Sequence, residues 1–74
     1  MLNLTVKTQA EVDSFKNRIL ANINKVNLEF EIGYCIKERN QSWGDPELYT
    51  YFEMCICFLK GQYHYKTGKN YSYE

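Results

Sequence analysis

The chain has no net charge to spend on a polyanion: nine basic residues stand against nine acidic ones. That balance argues against a dedicated nucleic-acid binder, although it leaves room for a local patch. No apolar run reaches the ~18 residues that a membrane-spanning helix needs. The opening Met-Leu-Asn-Leu-Thr-Val-Lys lacks the basic and apolar regions of a signal peptide. Three cysteines are an odd number in no disulfide-framework spacing, so their thiols are expected to stay reduced in the cytoplasm. The sequence also lacks a glycine-rich phosphate loop, a His-Glu-x-x-His pair, a repeat and any low-complexity tract. These absences remove the commonest enzymatic signatures.

What is present is a single domain, residues 1–74, too short to bury a large core unaided. Hydrophobic content of 45% is ordinary for a globular chain, whereas the 16% aromatic content is high and comes mostly from seven tyrosines. The densest apolar stretch runs from Leu48 to Tyr65 and holds two of the three cysteines and the only histidine. Period-two alternation puts Phe52, Met54, Ile56 and Phe58 on one face, with Tyr49, Tyr51, Cys55, Cys57 and Leu59 on the other. Gly61-Gln62 suits the two-residue turn of a β-hairpin, with glycine supplying the positive φ. A rival helix would start at Asp45-Pro46, with Asp as N-cap and Pro at the first helical position, and stop at Gly61. The abundance of Tyr, Phe, Thr and Cys favours the strand reading.

Elsewhere the signals read in order. Leu2, Leu4 and Val6 alternate as a short strand. Thr8 with Glu11 forms a capping box for a helix extending to about Lys25, whose stripe is Val12, Phe15, Ile19, Ile23 and Val26. Leu28, Phe30, Ile32, Tyr34 and Ile36 alternate with polar neighbours as a second strand. Residues 38–47 form a loop carrying Trp43, and Thr67-Gly68-Lys69-Asn70 reads as a turn. The expected fold is therefore a two-layer α+β sandwich, with one N-terminal helix on a small, mostly antiparallel sheet in the order β-α-β-β-β.

One helix covers one face of such a sheet. The other would present Tyr49, Tyr51, Cys57 and Leu59 with Trp43 at its rim, too apolar a patch for bare exposure to water. These five residues are the expected partner-binding site, since Tyr and Trp anchor interfaces with large, rigid contact area. The partner is another protein or a second copy of the chain in a homodimer, with no membrane and no small-molecule substrate. The function expected is that of a small non-enzymatic binder, such as a phage- or mobile-element-type inhibitor that occupies another protein's surface. No cofactor is expected. Cys55, Cys57 and His64 converge on the hairpin face but fall short of a zinc set, so no metal is expected either. A Cys57–His64 nucleophile pair lacks an orienting third residue and an oxyanion hole. The alternative function is nucleic-acid binding through Lys60, Lys66 and Lys69 interleaved with Tyr63, Tyr65, Tyr71 and Tyr73.

Overall fold

A computed structural model describes residues 6–71 and shows three α-helices, with no strand among the described residues. They are α1 (Val6–Ala21), α2 (Leu28–Gln41) and α3 (Pro46–Thr67). The expected sheet is thus replaced by an all-α fold. The first expected strand falls largely on residues outside those described, and its last member, Val6, opens α1.

The second expected strand is α2, and the reason lies in a degenerate pattern. Leu28, Ile32 and Ile36 satisfy both a period of two and the i, i+4, i+8 spacing of a helix. The structure buries those three with Cys35, and leaves Phe30 and Tyr34 66% and 51% exposed. Asn27 closes the N-terminus, its side-chain oxygen accepting from the Phe30 amide at 3.1 Å. Glu29 and Glu31 in the first turn and Arg39 in the last complement the helix dipole.

The expected hairpin is α3, a single helix of 22 residues. Its caps decide the matter. The Asp45 side chain accepts from the Leu48 amide at 3.2 Å, Pro46 occupies the first turn, and Gly68 ends the helix at φ 74°. The Gly68 amide donates to the His64 carbonyl at 2.8 Å. The rival start at Asp45-Pro46 is therefore the real one, but the rival stop at Gly61 is not: that glycine lies inside the helix. Strand preferences of Tyr, Phe, Thr and Cys amount to a few tenths of a kcal/mol each, and the burial of a helical face outweighs them. A helix of this length spans about 33 Å at 1.5 Å per residue, close to the molecule's long dimension of 32 Å.

The helix expected from Thr8 to Lys25 is α1, shorter at its C-terminal end, with Asn22 to Lys25 forming a turn. The capping box is absent as such. Thr8 lies within the helix, and its hydroxyl donates to Glu47 Oε1 at 2.7 Å, tying α1 to the start of α3.

Helix α3 packs against both other helices, whereas no Cα of α1 comes within 8 Å of a Cα of α2. The core joins Ile19 of α1, Leu28, Ile32, Cys35 and Ile36 of α2, and Cys55, Ile56 and Leu59 of α3. Phe15, Ile23, Phe52 and Phe58 flank it. Arg39 Nη1 donates to Glu53 Oε1 at 2.6 Å across the α2–α3 seam, and Lys66 Nζ donates to the Ile23 carbonyl at 3.1 Å. No helix among the described residues is long and apolar enough to cross a membrane.

The two glycines of α3 and its end make opposite predictions. Gly61 is exposed and helical, with open space where a Cβ would stand, so Gly61→Ala should stabilise the fold by ~0.5–1 kcal/mol in urea unfolding. Gly68→Ala, forced into positive φ, should destabilise it by about 1 kcal/mol. A hairpin turn at Gly61 would give the reverse sign there. Leu59→Ala, which empties a site with 0% exposure, should cost ~2–5 kcal/mol.

Candidate functional site

A helix advances about 100° per residue, so residues that alternate onto one face of a strand scatter around α3. Tyr51 and Tyr49 point about 200° apart, and Cys57 lies about 120° from Tyr51. Leu59 is fully buried in the core and offers nothing to a partner. Cys57 is exposed, on the side of α3 away from the core, and Cys55 faces inward. Tyr49 is 36% exposed, its ring 6.0 Å from the Arg39 guanidinium. Trp43, in the turn between α2 and α3, is 83% exposed. The five expected site residues therefore do not form one surface.

One of them, Tyr51, stands in a different assembly. Its ring meets Phe15 of α1 edge-on, with centroids 6.5 Å apart and planes at 80°, and meets Phe52 at 5.0 Å and 73°. These rings line a trough of about 420 Å³ running between α1 and α2. Phe15 and Arg18 belong to the α1 wall, Glu31 and Tyr34 to the α2 wall, and Tyr51 and Phe52 to α3 between them. Arg18 bridges the trough: its Nη2 lies 3.5 Å from Glu31 Oε1, and its guanidinium sits 5.1 Å from the centre of the Phe15 ring. A second hollow, of about 170 Å³, shares Glu11 and Tyr51 with the first and adds Thr8, Asp45, Glu47 and Leu48. The trough is thus aromatic in its middle and acidic at the end where α3 begins.

Sequence reasoning missed Phe15, Arg18, Tyr34 and Phe52 as neighbours of Tyr51. Glu11, Phe15 and Arg18 carry the i, i+4, i+7 spacing of a helix face and were legible as such. Glu31 and Tyr34 were not, because the strand reading put them on opposite faces.

The thiols lie in two environments. Burial, with Cys55 and Glu31 as neighbours, pushes Cys35 up from its ordinary 9.0 to about 12. Burial likewise lifts Cys55 to about 11, although a hydrogen bond with Tyr51 works against the shift. The Tyr51 hydroxyl is itself pushed well above its ordinary value, first by burial and then by Cys55. Among the described residues no group of three or more His, Cys, Asp or Glu is placed to hold a metal ion. The lysine and tyrosine cluster is also dispersed. Lys60 and Lys66 point about 120° apart on α3. Lys66 is held by the Ile23 carbonyl, and Tyr63 packs edge-on against Tyr71 at 5.6 Å. Tyr65 is exposed, and Tyr73 lies outside the described residues.

Two outcomes follow for the thiols. Iodoacetamide at pH 8 should modify the native protein once, at Cys57, and three times in denaturant, as read by intact mass. Because both buried thiols have folded-state pKa values raised above 9.0, their stabilising effect is complete below pH 9. It should be lost as pH rises toward 11 to 12, so the melting temperature should fall over that window. Ser at position 57 should leave that alkaline loss unchanged.

The chain matches no protein family, no curated protein and no solved structure.

Proposed function

We propose that the protein is a non-enzymatic binding module that takes up a segment of another protein in the trough between α1 and α2. The observation that carries this reading is the separation of those two helices. Both lean on α3 and leave an aromatic-walled gap between them, spanned by the Arg18–Glu31 ion pair. Apolar surface removed from water is worth ~25 cal/mol per Å², and aromatic walls supply it in rigid form. Phe30 and Tyr34, one turn apart on α2 and both more than half exposed, add apolar contact area on that helix. Trp43, two residues before Asp45 in the chain and 83% exposed, offers a further aromatic anchor.

The trough offers little for catalysis. Its one thiol, Cys35, is held protonated with a pKa of about 12, and the Ser14 hydroxyl has no histidine among the lining residues to activate it. The protein acts, in this reading, by occupying a partner's surface, as small inhibitors do. Three unpaired thiols, two of them used as core packing, suit the reducing cytoplasm.

A photo-crosslinking residue at position 34, in cells that naturally make the protein, should give a discrete adduct of higher mass. The same residue at position 61, on the far side of α3, should give none. Absence of an adduct at 34, or equal yield at both positions, would contradict the reading. Tyr34→Ala should weaken the captured complex by ~1–3 kcal/mol while changing the melting curve little.

A further inference from the structure

We infer that the protein pairs weakly with a second copy of itself through the outward face of α2, the two helices running antiparallel. This goes beyond the trough and does not rest on it. Taking buried Ile32 as the inward direction, Phe30, Tyr34, Lys37 and Gln41 all project within about 40° of straight outward. All four are exposed, Phe30 at 66%. Helix α3 packs on the opposite side, and no Cα of α1 comes within 8 Å of a Cα of α2. Phe30 does not line the trough, and Tyr34 stands at the edge between the two surfaces.

The charges of α2 select both the occupant and its direction. Glu29 and Lys37 lie on the same flank of this face, near its opposite ends, and both are exposed. Within α2 neither has an opposite charge three or four positions away, and neither forms an ion pair among the described residues. Lys66 lines a hollow with Glu29, but its Nζ donates to the Ile23 carbonyl. Reversing a second α2 so that its Lys37 lies opposite Phe30 also brings that Lys37 beside Glu29. Two-fold symmetry makes the same contact again at the other end. The lysine stem then covers the Phe30 ring while its ammonium meets the carboxylate. At the centre Gly33 faces Gly33, with open space where a Cβ would stand, and Tyr34 faces Tyr34. On the other flank Glu38 nears Glu31 of the second copy, where Arg18, already paired with Glu31, supplies the opposite charge. A parallel pair would instead set Glu29 on Glu29 and Lys37 on Lys37. The face is thus complementary to itself reversed.

The size of the face sets the strength. Phe30 and Tyr34 leave on the order of 200 Å² of aromatic surface bare in each copy. A helix of 14 residues offers a contact about 21 Å long, which falls short of the ~800 Å² per partner of a standard interface. The pair is therefore a weak one, present at high concentration and lost on dilution. Its two troughs remain open, since their floors belong to α3 on the other side of α2.

The test is sedimentation equilibrium of the full chain over a wide range of concentration at low salt. The mass should climb from 8.8 kDa toward twice that value, with half-association at roughly 10–100 μM. Phe30→Ala should raise the dissociation constant about tenfold and leave the melting curve of the dilute protein unchanged. Lys37→Glu and Glu29→Lys each set like charges against one another, so each alone should stay monomeric. An equimolar mixture of those two variants restores both Glu–Lys contacts and should associate within about threefold of the parent. Phe30→Ala, which alters no charge, carries the test where a charge variant melts early. A photo-crosslinking residue at position 30 should give an adduct of twice the chain mass. A mass of 8.8 kDa at every concentration, undiminished association of Phe30→Ala, or charge variants that pair as well as the parent would each overturn the inference. So would a mixture of well-folded charge variants that stays monomeric, or an adduct of a different mass at position 30, which would mark a foreign protein on this face.

Discussion

The burial of α3 on two sides is the constraint on which the rest of this small molecule depends. Helices α1 and α2 have no close backbone approach to each other, so each is held by what it shares with α3. Cys55, Ile56 and Leu59 are the common ground: they meet Ile19 from one side and the Ile32–Cys35–Ile36 face from the other. Isolated helices of 14 and 16 residues are marginal in water, and their stability here comes from this packing. Local interactions then fix the direction of each element. Asn27 and Asp45 start α2 and α3, Gly68 ends α3, and Thr8–Glu47 and Arg39–Glu53 set the lateral register.

The same arrangement produces the trough. Two helices resting on a third, with no Cα of one within 8 Å of a Cα of the other, leave a gap above it, and α3 lays Tyr51 and Phe52 along its floor. The ion pair Arg18–Glu31 spans that gap, with Arg18 54% exposed and Glu31 20% exposed. With its arginine half open to solvent the pair contributes little stability, so the gap is not held shut by it. The aromatic lining and the acidic end are thus consequences of where α3 begins and of which residues occupy its second turn.

Much of this could be read from the sequence, and the part that could not has a specific cause. The stripe of α1 and the N-terminal signal Asp45-Pro46 were legible, as was the turn containing Gly68. The strands were not avoidable on pattern alone. Leu28, Ile32 and Ile36 satisfy two periods at once, and only the fate of Phe30 and Tyr34, both exposed, separates them. In the stretch from Leu48 to Tyr65, twelve of eighteen positions are apolar or aromatic, so too few polar residues are left to mark one period over the other. Composition then tipped the reading toward strand, against caps that each carry more free energy than any single propensity. The site inherited that error. Tyr51 was read as one of five partner-binding residues, but its neighbours Phe15 and Tyr34 come from helices whose placement only the fold supplies. Leu59 was assigned to the surface because strand parity paired it with Tyr51, and helical geometry turns it inward.

Continuity of α3 through Gly61 is the claim everything else requires, and native-state measurement of its backbone tests it most directly. Carbon-α chemical shifts should be helical without a break from Pro46 to Thr67, and the amides of Cys55, Ile56 and Leu59 should exchange with solvent only by global unfolding. Strand-like shifts on either side of Gly61, or fast exchange at those three amides, would contradict the account and take the trough with it.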